Sequence, residues 1–334
     1  MSEGRKAYPV AELARAYQYL SVSPLHEIFI QEYGNADGLP VIVCHGGPGG
    51  GCPPEYAKFF NPELYRIILV DQRGSGKSLP PGELSENNTK ELIADMEKIR
   101  NALGIERWVI FGGSWGTTLG LLYAQAHPKR VLAMVLRGIF LARQQDIDSF
   151  IGEDTEAAAK CPQDWREFKT GVDDLLTLLK ISPGENYVDS VLTLLDYPDS
   201  KIRNQSATML CKWEYQISFR KPAPMPKDFT LGGYAMAVIE LTYMQKKCFI
   251  AENQILDNLA KLPKVPIYIV HGSKDWVCPI IQAELLRDKL TALNYELSYH
   301  ATAAGHAGSE PENTHCLVEA TDVIARQFTP AECY

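Results

Sequence analysis

Residues 109–120 read Val109-Ile110-Phe111-Gly112-Gly113-Ser114-Trp115-Gly116-Thr117-Thr118-Leu119-Gly120. A short apolar run stops at a glycine pair, a serine stands alone, and small residues lead into an apolar stretch over 119–126. This spells strand, sharp turn, helix, with Gly112-x-Ser114-x-Gly116 at the corner. A corner of this kind holds its serine in a strained backbone conformation and presents it at the edge of a sheet. It is tolerable only where the flanking positions lack bulk, which is the work of the glycines. The pattern is short, so its meaning depends on whether the chain also supplies an oxyanion site, an acid and a histidine.

Composition permits such an enzyme. The 334 residues are 46% hydrophobic and 22% charged, enough to bury a sizeable core as one large α/β domain with an insertion or as two domains. A net charge of −8 argues against a nucleic-acid groove, which needs a basic face. Residues 1–6 carry no apolar signal core and no run approaches a membrane span. Eight cysteines without a C-x-x-C pair read as reduced thiols of a cytoplasmic protein rather than a metal site. Homo-oligomerisation is left open.

Strand and helix patterns alternate from residue 41 to 137, the mark of a parallel sheet with crossover helices. Continuous apolar runs at 41–44, 66–70, 108–111 and 131–136 suit strands buried on both faces, and 89–103 has helical periodicity. An earlier strand is expected at 26–32, whereas the Tyr-rich lead-in over 8–25 gives no clear signal. From about 142 to 260 no buried strand is legible, only helical patterns at 172–179, 188–195 and 235–249, parted by turns at Ser182-Pro183-Gly184 and at Lys221–Pro226. Strand character returns at 265–270 and 296–299, with helices at 280–293 and 314–328. The expected organisation is an α/β core over 1–141 and 261–334 interrupted by a helical cap over 142–260.

His45-Gly46-Gly47-Pro48-Gly49 follows the 41–44 strand, at the carboxyl edge where open α/β sheets bind ligands. Acyl transfer to a serine needs two backbone donors for the developing oxyanion, and Gly47 and Trp115 N–H are the candidates, Trp115 as the residue after the nucleophile. Its indole is placed against the substrate pocket. No G-x-G-x-x-G opens a long helix, so a dinucleotide site is excluded. Gly74-Ser75-Gly76-Lys77-Ser78 imitates a phosphate loop, but the required first glycine is Asp71, and Asp71 and Arg73 read as turn-pinning residues. Asp275 lies just beyond the 265–270 strand and His306 just beyond the 296–299 strand. His271 and His300 compete for the role of base; His271 is too close in sequence to Asp275, and His300 sits at the end of its own strand. Ser114, Asp275, His306 then follow in the order of α/β-hydrolases. No cofactor or metal is called for.

His45-Gly46-Gly47-Pro48-Gly49-Gly50, Asp71-Gln72-Arg73-Gly74-Ser75-Gly76-Lys77-Ser78, Gly112-Gly113-Ser114-Trp115-Gly116-Thr117-Thr118-Leu119 and Leu136-Arg137-Gly138-Ile139-Phe140 together resemble the proline iminopeptidases, over residues 25–310. The resemblance implies an α/β-hydrolase with a helical cap that releases N-terminal proline from peptides; a broader esterase or amidase is the alternative. By the same resemblance, Glu214 and Glu240 correspond to carboxylates that bind the free amino terminus, with Arg137 near them. Phe140, Phe150, Val277 and Cys278 correspond to a pocket for the proline ring. A cationic amine suits paired carboxylates in a partly apolar setting, and a pyrrolidine ring suits an apolar slot. The chain departs from the family in having Ser149 in place of an aromatic residue, Leu241-Thr242 in place of an Asn-His pair, and Ala307 after the histidine. These departures bear on pocket width rather than on the serine chemistry.

Overall fold

The computed structural model describes residues 6–219 and 233–334; the turn expected at Lys221–Pro226 lies outside them. The described strands are β1 (Ala16–Ser21), β2 (Glu27–Gly34), β3 (Leu39–Cys44), β4 (Tyr65–Val70), β5 (Trp108–Gly113), β6 (Val131–Arg137), β7 (Ile267–Gly272) and β8 (Leu297–Thr302). They form one sheet in the order β1-β2-β4-β3-β5-β6-β7-β8. β1–β2 and β2–β4 pair antiparallel, and every pair from β4 to β8 is parallel. The unread lead-in turns out to hold β1, an edge strand whose side chains are mostly exposed, which is why it shows no alternation.

Around the sheet run α1 (Thr89–Ala102), α2 (Trp115–Ala126), α3 (Gln144–Asp148), α4 (Glu156–Lys160), α5 (Pro162–Leu179), α6 (Tyr187–Leu195), α7 (Ser200–Ile217), α8 (Gly233–Gln245), α9 (Gln254–Asp257), α10 (Ile281–Ala292) and α11 (Pro311–Gln327). Helices α3 to α9 all fall between β6 and β7, with no strand among their described residues. α7, which carries Glu214, is a full-length helix whose pattern the sequence did not disclose. No described helix is long and apolar enough to cross a membrane.

The central strands are buried along their whole length, and their side chains alternate between two apolar layers. Ile42, Ile110 and Leu136 belong to the layer beneath α1, α2 and the helical insert, and Val43, Phe111 and Val135 to the layer beneath α11. Burial of this kind stabilises by about 1.5–3 kcal/mol per large side chain, and it fixes the register, since a one-residue slip would exchange the two layers. Parallel order places the carboxyl ends of β3, β5, β6, β7 and β8 side by side along one edge. The glycine loop, Ser114, Asp275 and His306 follow those ends, and Arg137 closes β6.

Candidate active site

Ser114 has φ 56° and ψ −127°, a conformation that only glycine adopts without strain. It is held there by its own N–H, which donates to the Arg137 carbonyl at 2.9 Å, and by its carbonyl, which accepts from the Thr117 amide and hydroxyl at 2.8 Å each. Gly116 is obligatory: a Cβ there would run into the carbonyl oxygen of Cys44 at the end of β3. That contact brings the glycine loop onto the serine turn, where a Cβ on Gly46 would lie 3.2 Å from the Cβ of Ser114. The Trp115 amide is the first of α2, one of the donors that a helix leaves without an internal partner.

A chain of hydrogen bonds fixes the loop to the turn. His45 Nδ1–H donates to the Gly46 carbonyl at 2.8 Å, and its Nε2 accepts from the Gln72 amide at 3.0 Å. The Gln72 side chain donates to the His45 carbonyl at 3.0 Å and accepts from Trp115 Nε1 at 2.9 Å. Burial pushes the His45 ring below its ordinary pKa, which keeps it neutral and able to accept. Trp115 is therefore a core residue: its indole is fully buried, bonded to Gln72 and set edge-on against Tyr243 at 5.1 Å. The expectation that it walls the pocket is corrected, because the indole turns under the loop to satisfy its N–H. Asp71 accepts from the Cys52 amide at 2.6 Å and the Lys77 amide at 2.8 Å, and Arg73 is buried against Asp95 at 2.6 Å. The imitation phosphate loop is thus a turn pinned by Asp71 and Arg73.

Asp275 Oδ2 accepts from His306 Nδ1–H at 2.7 Å, and Oδ1 accepts from the amides of Val277 at 3.0 Å and Cys278 at 2.8 Å. Burial alone would raise its pKa; the charge and hydrogen bond of His306 outweigh that, together with His271 and the Cys278 amide, and hold the carboxyl below its usual range. With Nδ1 donating, His306 keeps Nε2 as its unprotonated nitrogen. The Ser114 hydroxyl reaches the Cys278 thiol, and no hydrogen bond joins it to His306 among the described residues. In free serine hydrolases that bond is commonly long and tightens with substrate in place. His271 is structural: Nδ1 accepts from the Ile139 amide at 3.0 Å and Nε2–H donates to the Cys278 carbonyl at 2.8 Å, with burial lowering its pKa. His300 lies within β8 and meets Ser298 at 3.0 Å.

Arg137 joins two of these parts. Its carbonyl takes the Ser114 amide, while its Nη1 donates to the His306 carbonyl at 2.7 Å. The insert reaches the same loop through the Ala307 amide, which donates at 2.8 Å to the carbonyl of Ser218 just past α7.

Two cavities flank this centre. One is a slot lined by Gly47, Ser114, Phe140, Phe150, Val277 and Cys278, with Glu240 and Met244 closing it. Its free space of ≈ 20 Å³ is about the room of one water, so a ring enters only as flexible side chains such as Met244 give way. The other is a cleft of ≈ 380 Å³ that takes in Arg137, Glu214 and His306. Glu214, half-buried, and Glu240, buried, stand at the partition, close enough for each to shift the other's pKa. Burial pushes Glu214 up to about 7, and burial together with Glu214 pushes Glu240 well above the usual range. Glu214 Oε1 and Glu240 Oε2 are buried with no hydrogen-bond partner. Met244 is the slot residue that sequence reasoning missed; only its place one helical turn beyond Glu240 on α8 could have pointed to it.

Residues 40–177 match the family described as alpha/beta hydrolase fold. Over 310 residues the chain is 39% identical to the proline iminopeptidase of Arabidopsis thaliana, covering 91% of this chain and 78% of that one. Over 307 residues it is 35% identical to the proline iminopeptidase of Neisseria gonorrhoeae, covering 92% and 95%. Among solved structures, an esterase from Exiguobacterium antarcticum superposes with TM-score 0.63 at 19% identity, covering 92% of this chain and 98% of that one. The proline iminopeptidase of Mycobacterium smegmatis does so with TM-score 0.55 at 17% identity, covering 93% and 99%, and both likenesses are of fold alone. With relatives this similar along nearly its whole length, the chain belongs to the proline iminopeptidase family of α/β-hydrolases.

Proposed function

We propose that this protein is a serine aminopeptidase that releases N-terminal proline from peptides. Ser114 Oγ attacks the prolyl carbonyl while His306 Nε2 takes its proton, and Asp275 orients the ring and stabilises the imidazolium. The amides of Gly47 and Trp115 donate to the oxyanion, each worth about 3 kcal/mol in the transition state. His306 then protonates the departing amine, and water hydrolyses the prolyl ester by the same route in reverse. The slot between Phe140, Phe150, Val277 and Cys278 takes the pyrrolidine ring. Segment 142–260 acts as a cap over a core made of 1–141 and 261–334, and eight cysteines without a C-x-x-C pair fit a reducing, cytoplasmic setting.

The observation that carries this reading is the pair of buried, unpartnered oxygens on Glu214 and Glu240 beside the slot that holds Ser114. A carboxylate pair with buried oxygens is costly unless something cationic joins it, and a free prolyl amine does so with charge-assisted hydrogen bonds. A substrate without that amine leaves the pair unrelieved, so the same feature discriminates. The test is turnover of prolyl, alanyl and N-acetyl-prolyl anilides beside a simple acetyl ester. Hydrolysis of free prolyl anilide far above the N-acetylated form is expected; equal turnover of the two would sink the assignment in favour of a broad esterase or amidase.

A further inference from the structure

The acylation just described puts no part of the substrate in the larger cleft. It meets the reaction centre at His306 and Glu214, on the far side of the partition from the slot that holds Ser114. Its walls are largely apolar, with Phe59, Phe111, Tyr215, Phe219 and Leu317 among them. It also contains two cations. The Arg137 guanidinium is occupied by the His306 carbonyl. Lys58 is not: it is half-buried, makes no ion pair among the described residues, and holds its ammonium 5.2 Å from the centroid of the Phe59 ring. Glu55, three residues earlier, lies exposed at the rim and is the opposing charge nearest in sequence.

We propose that this cleft, given the aminopeptidase reading above, is the leaving-group site, and that Lys58 makes it selective for short peptides ending in a free carboxylate. The histidine that protonates the departing amine must face the departing chain, and His306 lines this cleft rather than the slot. Aromatic walls hold an apolar residue following the proline. A carboxylate is the anion that every short peptide carries at its far end, and a half-buried ammonium poised over an aromatic ring is a ready partner for it.

The test compares Pro-Leu and Pro-Leu-Gly as free acids and as C-terminal amides, in the intact protein and in the Lys58→Met and Lys58→Arg variants. For at least one length, kcat/KM of the wild type should favour the acid over the amide by roughly five-fold or more. Lys58→Met should bring that ratio to near one, and Lys58→Arg should keep it. A wild type indifferent to the terminal charge would overturn the proposal. So would a Lys58→Met variant that keeps the ratio, whether or not its turnover of both falls. Prolyl anilide has no carboxylate, so failure of the wild type to cleave it would indict the aminopeptidase reading and not this site.

Discussion

Glu214 on α7 and Glu240 on α8 present their carboxyl groups to each other in the buried partition between two cavities. Both are raised above the usual carboxylate range, Glu214 to about 7. The unfolded chain releases these protons near pH 4.3, whereas the folded protein still holds them at higher pH. Their contribution to stability is therefore complete below about pH 4.3 and declines as pH rises through 7. Melting of the free protein should fall between pH 5 and 8, and Glu214→Gln should flatten that fall. Parallel curves for wild type and variant would contradict the assignment of the slope to this pair.

Glu214→Gln should also separate two kinds of substrate. Glutamine keeps the shape but withdraws a charge from the amine, a loss of about 2–3 kcal/mol, or roughly 30- to 150-fold in kcat/KM. Free prolyl anilide should bear that loss, while acylation by a small acetyl ester should change little. Comparable losses on both would argue that Glu214 does not bind the amine.

Asp275→Asn should fold normally and fail chemically. Oδ1 is engaged by the Val277 and Cys278 amides, so an asparagine would keep its oxygen there and turn its NH₂ toward His306. Nδ1 would then have to accept, leaving the proton on Nε2, where it blocks deprotonation of Ser114. A fall in kcat of about 10⁴ is expected. Circular dichroism matching the wild type would separate this from unfolding, and a loss under ten-fold would remove Asp275 from the mechanism.

Ser114→Gly should be inactive and more stable. Strain at φ 56° and ψ −127° costs about 1–3 kcal/mol in a residue with a side chain, against about 0.5–1 kcal/mol of added chain entropy for glycine. The net gain is about 1 kcal/mol, a rise of roughly 2 °C in Tm, while Ser114→Ala should stay near the wild type. An unchanged or lower Tm for the glycine variant would show that the surroundings relieve the strain. Neither variant should react with a fluorophosphonate.

What the sequence disclosed follows from burial. β3, β5 and β6 are covered on both faces, so their apolar runs are continuous, and each points its following loop to the same edge. Gly47 and Ser114 could be placed for that reason, and Asp275 and His306 because they follow the next two strands of the same parallel order. β1 could not be read because an edge strand with exposed side chains has no contrast to display. α7 was missed for a related cause: Ser206 and Cys211 are buried in it alongside Leu210 and Trp213, so small and polar residues dilute its inner face. The bonds from His45 through Gln72 to Trp115 join three segments far apart in the chain, and no spacing rule reports them. Trp115 looked like a pocket wall because its neighbour is the reactive serine; only the partner of its N–H reveals which way the indole turns.

Ser218 lies four residues past Glu214, and its carbonyl holds the amide next to His306. Any movement of α7 as a body therefore drags the histidine loop with it. In lineage terms, exchanging the whole insert would detune the histidine in the same stroke, whereas single replacements along the inner faces of α7 and α8 leave the junction alone. New substrate ranges on this scaffold are expected to arise one side chain at a time.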